Sequence, residues 1–150
     1  MTFYEKAAAQ EQGKDFSFLA GYRKGNVSAY DLLHGFCNVF AKVLNEEFGY
    51  RINEITDEYG TLIHFYALGK EKGRPVYIDV RGKTDDYSEF IEEFEYFTTK
   101  EDSRINTVAA DPNSIYVPET MYVCSRDAYE LSREMIKNFR VLYAAEAPCA

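Results

Sequence analysis

The chain has 150 residues, 46% of them hydrophobic, with 13 Tyr and 11 Phe; this excludes an aromatic-poor disordered chain and predicts one ordinary domain, residues 1–150, with an aromatic-rich core. A formal net charge of −8 disfavours nucleic acid and anionic lipid as partners and favours a basic protein surface. No apolar run approaches the roughly twenty residues of a membrane span, and Met1 to Gly13 lack the basic-then-apolar order of a signal peptide, so no membrane partner is expected and the cytoplasm is the expected location.

Residues 1–27, with Ala7 to Ala9 and glycines at 13, 21 and 25, predict a short helix followed by loop. From Ser28 to Phe48 the apolar residues Leu33, Phe36 or Cys37, Phe40, Val43 or Leu44, and Phe48 recur at three and four, the period of a helix packed on one side. Ser28 and Asp31 are spaced to cap its start, and Gly49 suits its left-handed end. Gly35 leaves two readings open: one helix unbroken from Ser28, or a separate turn up to Gly35 with the main helix beginning near Phe36 or Cys37.

Strands are predicted over Tyr50 to Thr56, Thr61 to Leu68 and Val76 to Val80, with a turn at Asp57 to Gly60. Gly69 to Pro75 is a turn sequence that makes the last two strands an antiparallel hairpin. Thr84 to Phe97 predicts a helix with Asp86 and Glu89 as capping box, a buried stripe of Tyr87, Phe90, Ile91, Phe94 and Phe97, and an acidic opposite face. Residues 98–124 contain Asp111-Pro112-Asn113 and Val117-Pro118 and predict loop, with extended pieces at Ile115 to Val117 and Met121 to Val123. Ser125 is placed to cap a final helix to about Ala145 that buries Ala128, Leu131, Met135, Phe139 and Leu142. The order predicts an α+β fold, helices packed on a small antiparallel sheet.

Three cysteines, Cys37, Cys124 and Cys149, form no C-x-x-C pair and no disulfide framework. The histidines are His34, read as a helix-surface residue, and His64; the closely spaced ligand pairs of a structural zinc site are absent. A hairpin turn centred between Glu71 and Lys72 sets His64 opposite Asp79, Ile63 opposite Val80, Phe65 opposite Ile78 and Ala67 opposite Val76. One face is then wholly apolar, and the other carries Tyr66, Tyr77, His64, Asp79 and Arg81. A carboxylate beside an imidazole fixes its tautomer, and a cysteine beside that imidazole becomes a thiolate nucleophile. Cys37, His64 and Asp79 are therefore the candidate catalytic residues, as nucleophile, proton carrier and orienting carboxylate, with backbone N–H groups near Gly35 to Cys37 as oxyanion donors. Arg81 is read as a partner of Asp79 or an anion-binding group. Cys37 also shares an apolar stripe with Leu33 and Phe40, which makes it a core residue if the helix runs unbroken from Ser28.

The run Gly35-Phe36-Cys37-Asn38-Val39-Phe40-Ala41, then Leu44 and Phe48-Gly49-Tyr50, His64 in an aromatic strand, and Tyr77-Ile78-Asp79-Val80-Arg81-Gly82 resembles small bacterial and phage domains of the papain-like and transglutaminase-like superfamily. The resemblance spans roughly residues 33–97. It implies a papain-like core in which a helix bears the cysteine and adjacent antiparallel strands bear the histidine and acid. It also implies a cofactor-free cysteine hydrolase or acyltransferase acting on an amide or thioester of a protein or peptide-like substrate. A second reading takes the acidic run from Asp85 to Asp102, with Glu89, Glu92, Glu93 and Glu95, as a surface that imitates nucleic-acid charge or docks on a basic partner, as small acidic inhibitors from mobile elements do.

Overall fold

The computed structural model describes residues 22–92, 94, 106–111 and 123–147. In chain order these form a ribbon of β1 (Arg23–Lys24) and β2 (Val27–Ser28), a 3-10 turn (Ala29–Leu32) and helix α1 (Cys37–Phe48). Strands β3 (Arg51–Thr56), β4 (Leu62–Glu71), β5 (Arg74–Asp79) and β6 (Gly82–Thr84) follow, then helix α2 (Tyr87–Glu92), strand β7 (Asn106–Ala110), helix α3 (Val123–Asn138) and the short helix α4 (Arg140–Tyr143). The larger sheet is antiparallel with order β6-β5-β4-β3-β7. Helices packed on a small antiparallel sheet are the α+β class that the sequence predicts.

The first helix departs from an unbroken run. Ser28 and Asp31 do form a capping box, but it starts only the single 3-10 turn. At Gly35 φ is 118°, a conformation open to glycine and strained for other residues, and α1 starts afresh at Cys37. Of the two readings, the later start holds. Gly49 ends the helix in the left-handed conformation, its N–H donating to the Asn45 carbonyl at 2.9 Å.

The hairpin register differs from the predicted one by two residues. The two-residue loop is Lys72-Gly73, whose φ values of 51° and 78° are the two positive angles of a type I′ turn. Ala67 therefore lies opposite Ile78 and Gly69 opposite Val76. A shift of two leaves every side chain on its face, because the strand period is two. Ile52, Ala67 and Ile78 turn to the side where Ala41 of α1 packs. Tyr66 and Tyr77 turn to the other side, where the Phe90 ring of α2 lies 4.8 Å and 5.8 Å from theirs. Both faces of the hairpin are thus covered, and the polar face becomes a buried one.

Three further expectations are corrected. Helix α2 begins at Tyr87, not Thr84, because Thr84 belongs to β6 and its hydroxyl accepts from the Asp86 N–H at 3.1 Å. Asp86 then caps the helix by accepting from the Glu89 N–H at 3.1 Å. Strand β7 lies within a stretch read as loop; it pairs with β3, Ile52 opposite Ala110. The final helix starts at Val123, two residues before its predicted cap, and breaks at Phe139 before α4. Phe97, Glu93, Glu95, residues 115–117 and 121–122, and most of 1–27 lie outside the described residues.

The C-terminal helices are tied to the sheet by buried tyrosines. Tyr143 donates its hydroxyl to the Val80 carbonyl at 2.7 Å, and the Tyr50 hydroxyl donates to the Tyr143 carbonyl at 2.7 Å while accepting from the Ala145 N–H. Burial and the nearby Glu71 charge push the Tyr50 hydroxyl up to about 12. Among the described residues no helix is long and apolar enough to cross a membrane.

Candidate active site

Cys37 is the first residue of α1 and is half-buried. The Phe36 N–H is taken by the Asp31 carbonyl at 2.8 Å, and the Val39 and Phe40 N–H groups by the Phe36 carbonyl at 3.1 and 3.3 Å. The N–H groups of Cys37 and Asn38 are the first-turn donors that a helix cannot pair with its own carbonyls. The thiol and these two donors therefore share one helix end, whose dipole favours negative charge. The Phe65 N–H donates to Cys37 Sγ at 3.4 Å, fastening the thiol beside the preceding residue of β4, His64.

His64 is fully buried, its ring stacked on Phe94 with centroids 4.0 Å apart. Nε2 lies 3.1 Å from Asp79 Oδ2. The predicted contact thus forms although the two residues are not opposed in the ladder, because the two-residue shift keeps them on one face. Nδ1 is buried and makes no hydrogen bond of good geometry, and the Cys37 thiol is close enough to couple to the ring. The three predicted site residues are therefore brought together in the order thiol, imidazole, carboxylate.

Asp79 is in turn enclosed by Arg81. The guanidinium reaches both carboxylate oxygens, with Nη2 to Oδ2 at 2.7 Å and Nε to Oδ1 at 3.1 Å, and the Arg81 backbone N–H donates to Oδ1 at 2.9 Å. Both residues are buried. Arg81 Nη2 also donates to the Phe90 carbonyl at 3.1 Å, and its guanidinium carbon sits 5.0 Å and 5.2 Å from the Phe90 and Phe94 ring centroids. Of the two sequence-level roles for Arg81, partner of Asp79 is the one found.

The electrostatics follow from this chain of contacts. Burial alone would raise the Asp79 carboxyl, but the Arg81 charge and the hydrogen bonds from His64 and Arg81 hold it well below the usual carboxylate range. Burial opposes charging of His64, yet the hydrogen bond to Asp79 and the nearby Cys37 thiol raise it above the ordinary imidazole value. Burial pushes the Cys37 thiol up, and the adjacent His64 imidazole, with the Phe65 N–H, brings it below the ordinary thiol value. Both shifts run in the direction that favours a thiolate–imidazolium pair.

His34 is not on a helix surface: it sits in the turn before α1, its ring 4.9 Å from Tyr30 and 6.2 Å from Phe94. The role of Phe94 as the platform under His64 was not readable from the sequence, where it appears only in an apolar stripe. Asn53, buried opposite Tyr66 and donating to its hydroxyl at 3.1 Å, was likewise missed, since a single polar residue in a strand carries no signal of its partner. Cys149 lies outside the described residues and Cys124 falls in the first turn of α3. Among the described residues no group of three or more His, Cys, Asp or Glu is placed to hold a metal ion. No protein-family model, no curated protein and no solved structure matches this chain.

Proposed function

We propose that the chain is a cofactor-free cysteine hydrolase or acyltransferase of papain-like type, acting on an amide or thioester. The observation that carries this reading is the position of Cys37: at the first turn of α1, coupled to an imidazole whose far nitrogen is held by a buried carboxylate. In this mechanism the Cys37 thiolate attacks the carbonyl carbon, and the oxyanion is received by N–H groups of the first turn of α1. His64, protonated on Nδ1, gives that proton to the departing amine or thiol, leaving an acyl thioester on Cys37. The imidazole then takes a proton from water or from an acceptor nucleophile, which attacks the thioester. The acid or transferred acyl product leaves, and the thiolate and imidazolium are restored. Asp79 keeps Nε2 protonated throughout and stabilises the charged ring.

The test is covalent. Incubation with p-nitrophenyl acetate should release nitrophenol in a burst stoichiometric with protein and add one acetyl group to Cys37, seen by mass spectrometry of the intact chain and its peptides. Cys37→Ser should abolish both. Acetylation spread over lysines with no burst would overturn the reading. In that case the net charge of −8 favours the second one, an acidic inhibitor that docks on a basic protein partner with binding that weakens steeply as salt is added.

A further inference from the structure

Arg81 is the buried charged residue at this site to which the proposed chemistry assigns no step. It lies two residues beyond Asp79, in the two-residue turn that joins β5 to β6, and this turn folds its backbone N–H and guanidinium back onto the Asp79 carboxylate. Its fork takes both oxygens of Asp79, its backbone N–H takes Oδ1 again, and Phe90 fixes its far end through a carbonyl and a ring face. Of the bonds to Asp79, the one that does not come from Arg81 is that of His64 Nε2 to Oδ2. A carboxylate on a strand can rotate about its last bond; here a rigid five-donor group leaves Oδ2 one direction, toward the imidazole.

Resting on the cysteine-hydrolase reading, we propose that Arg81 is a positioning residue: its guanidinium clamps Asp79 so that Oδ2 stays on His64 Nε2, which fixes the tautomer that turns Nδ1 toward Cys37. In this role Arg81 acts through Asp79 and takes no proton or bond-making step itself. Among the described residues the charged and titratable groups facing His64 are Cys37 from α1, Asp79 from β5 and, through Asp79, Arg81 after β5, and the uncharged rings of Phe90 and Phe94 lie beside it. A lysine in place of Arg81 keeps a positive charge but cannot grip two oxygens in a plane.

The experiment is a cycle of Arg81→Met, Arg81→Lys, Asp79→Asn and Asp79→Asn/Arg81→Met. It is read by the pH profile of Cys37 alkylation and by the 15N shifts of the His64 ring, with near-UV circular dichroism reporting the fold. Expected are a loss of at least tenfold in alkylation rate at pH 6 for Arg81→Met, partial recovery for Arg81→Lys, and no further loss when Arg81→Met is added to Asp79→Asn. The wild-type ring, titrated to its neutral form, should keep its proton on Nε2, and Arg81→Met should return it to a mixture of tautomers. An Arg81→Met loss that persists undiminished in the Asp79→Asn background overturns the proposal, as does a wild-type neutral ring with its proton on Nδ1. Should Arg81→Met fail to fold, the wild-type ring shifts and the 13C titration of the Asp79 carboxyl decide: titration in the ordinary carboxylate range contradicts the clamp. If wild-type Cys37 shows no low-pH reactivity, the hydrolase reading fails separately, and the ring and carboxyl shifts still pass or fail the clamp.

Discussion

Asp79→Asn keeps the shape of the side chain and removes its charge, so its cost reports the buried ion pair directly. Asp79 and Arg81 are each 3% exposed, and the substitution removes the carboxylate charge that the Arg81 guanidinium grips beside Phe90 and Phe94. Breaking a buried pair by removing one partner costs about 3–5 kcal/mol. With a urea slope of about 2 kcal/mol/M for a chain of this size, the unfolding midpoint should fall by about 2 M. The pH dependence has a defined sign. Asp79 is held below its unfolded value, so its contribution is full above about pH 4 and is lost as pH falls through the lower folded value. His64 is held above its unfolded value, so its bond to Asp79 contributes fully below about pH 6.5 and is lost as pH rises through the folded value. The gap between wild type and variant should therefore be widest between about pH 4 and 6.5. Urea titrations monitored by tyrosine fluorescence across that range measure it. A midpoint shift under about 0.5 M, or a gap that widens below about pH 4, would refute the buried pair as a source of stability.

Two other substitutions probe the frame that holds the site. Gly69→Val places a Cβ 3.1 Å from Ile78 Cδ1, 3.2 Å from Tyr50 Cε1 and 3.3 Å from Ala145 Cβ, with two methyls beyond it. Overpacking of this kind costs about 1–3 kcal/mol, and a thermal melt should show a correspondingly lower Tm. Tyr50→Phe removes the hydroxyl that bonds the Tyr143 carbonyl and the Ala145 N–H, at a cost of about 1–3 kcal/mol. The amide of Ala145 should then exchange with solvent hydrogen faster than in the wild type, while those of β4 stay protected.

Face, more than register, was legible in the sequence. The alternation of β4 and β5 put His64 and Asp79 on one side in either register, because parity survives a slip of two, whereas Arg81 lies in the turn after β5. The register itself depends on the backbone angles of Lys72 and Gly73, and several two-residue turns fit the Gly69 to Pro75 composition equally well. The start of α1 was legible as a choice but not as an answer. The apolar period runs through Gly35 without a gap, and it is the φ of 118° there that breaks the helix. Strand β7 was hidden because Asn106–Ala110 has no clear alternation and pairs with β3, some fifty residues earlier in the chain. The stacking of Phe94 on His64 is a tertiary contact with no sequence signal, and the clamp of Arg81 on Asp79 is a local contact made by the turn between β5 and β6, which lay beyond the predicted strand end.

The most direct measurement is the rate of Cys37 alkylation by iodoacetamide against pH, in a chain lacking Cys124 and Cys149, compared with its His64→Ala variant. A wild-type Cys37 that reacts well below the free-thiol value of about 8.5, and a His64→Ala variant whose reactive limb moves up in pH because the imidazole no longer offsets burial, is the predicted result. Reaction only after unfolding, or an identical profile in the two proteins, would contradict a thiolate–imidazolium pair and with it the cysteine-hydrolase function.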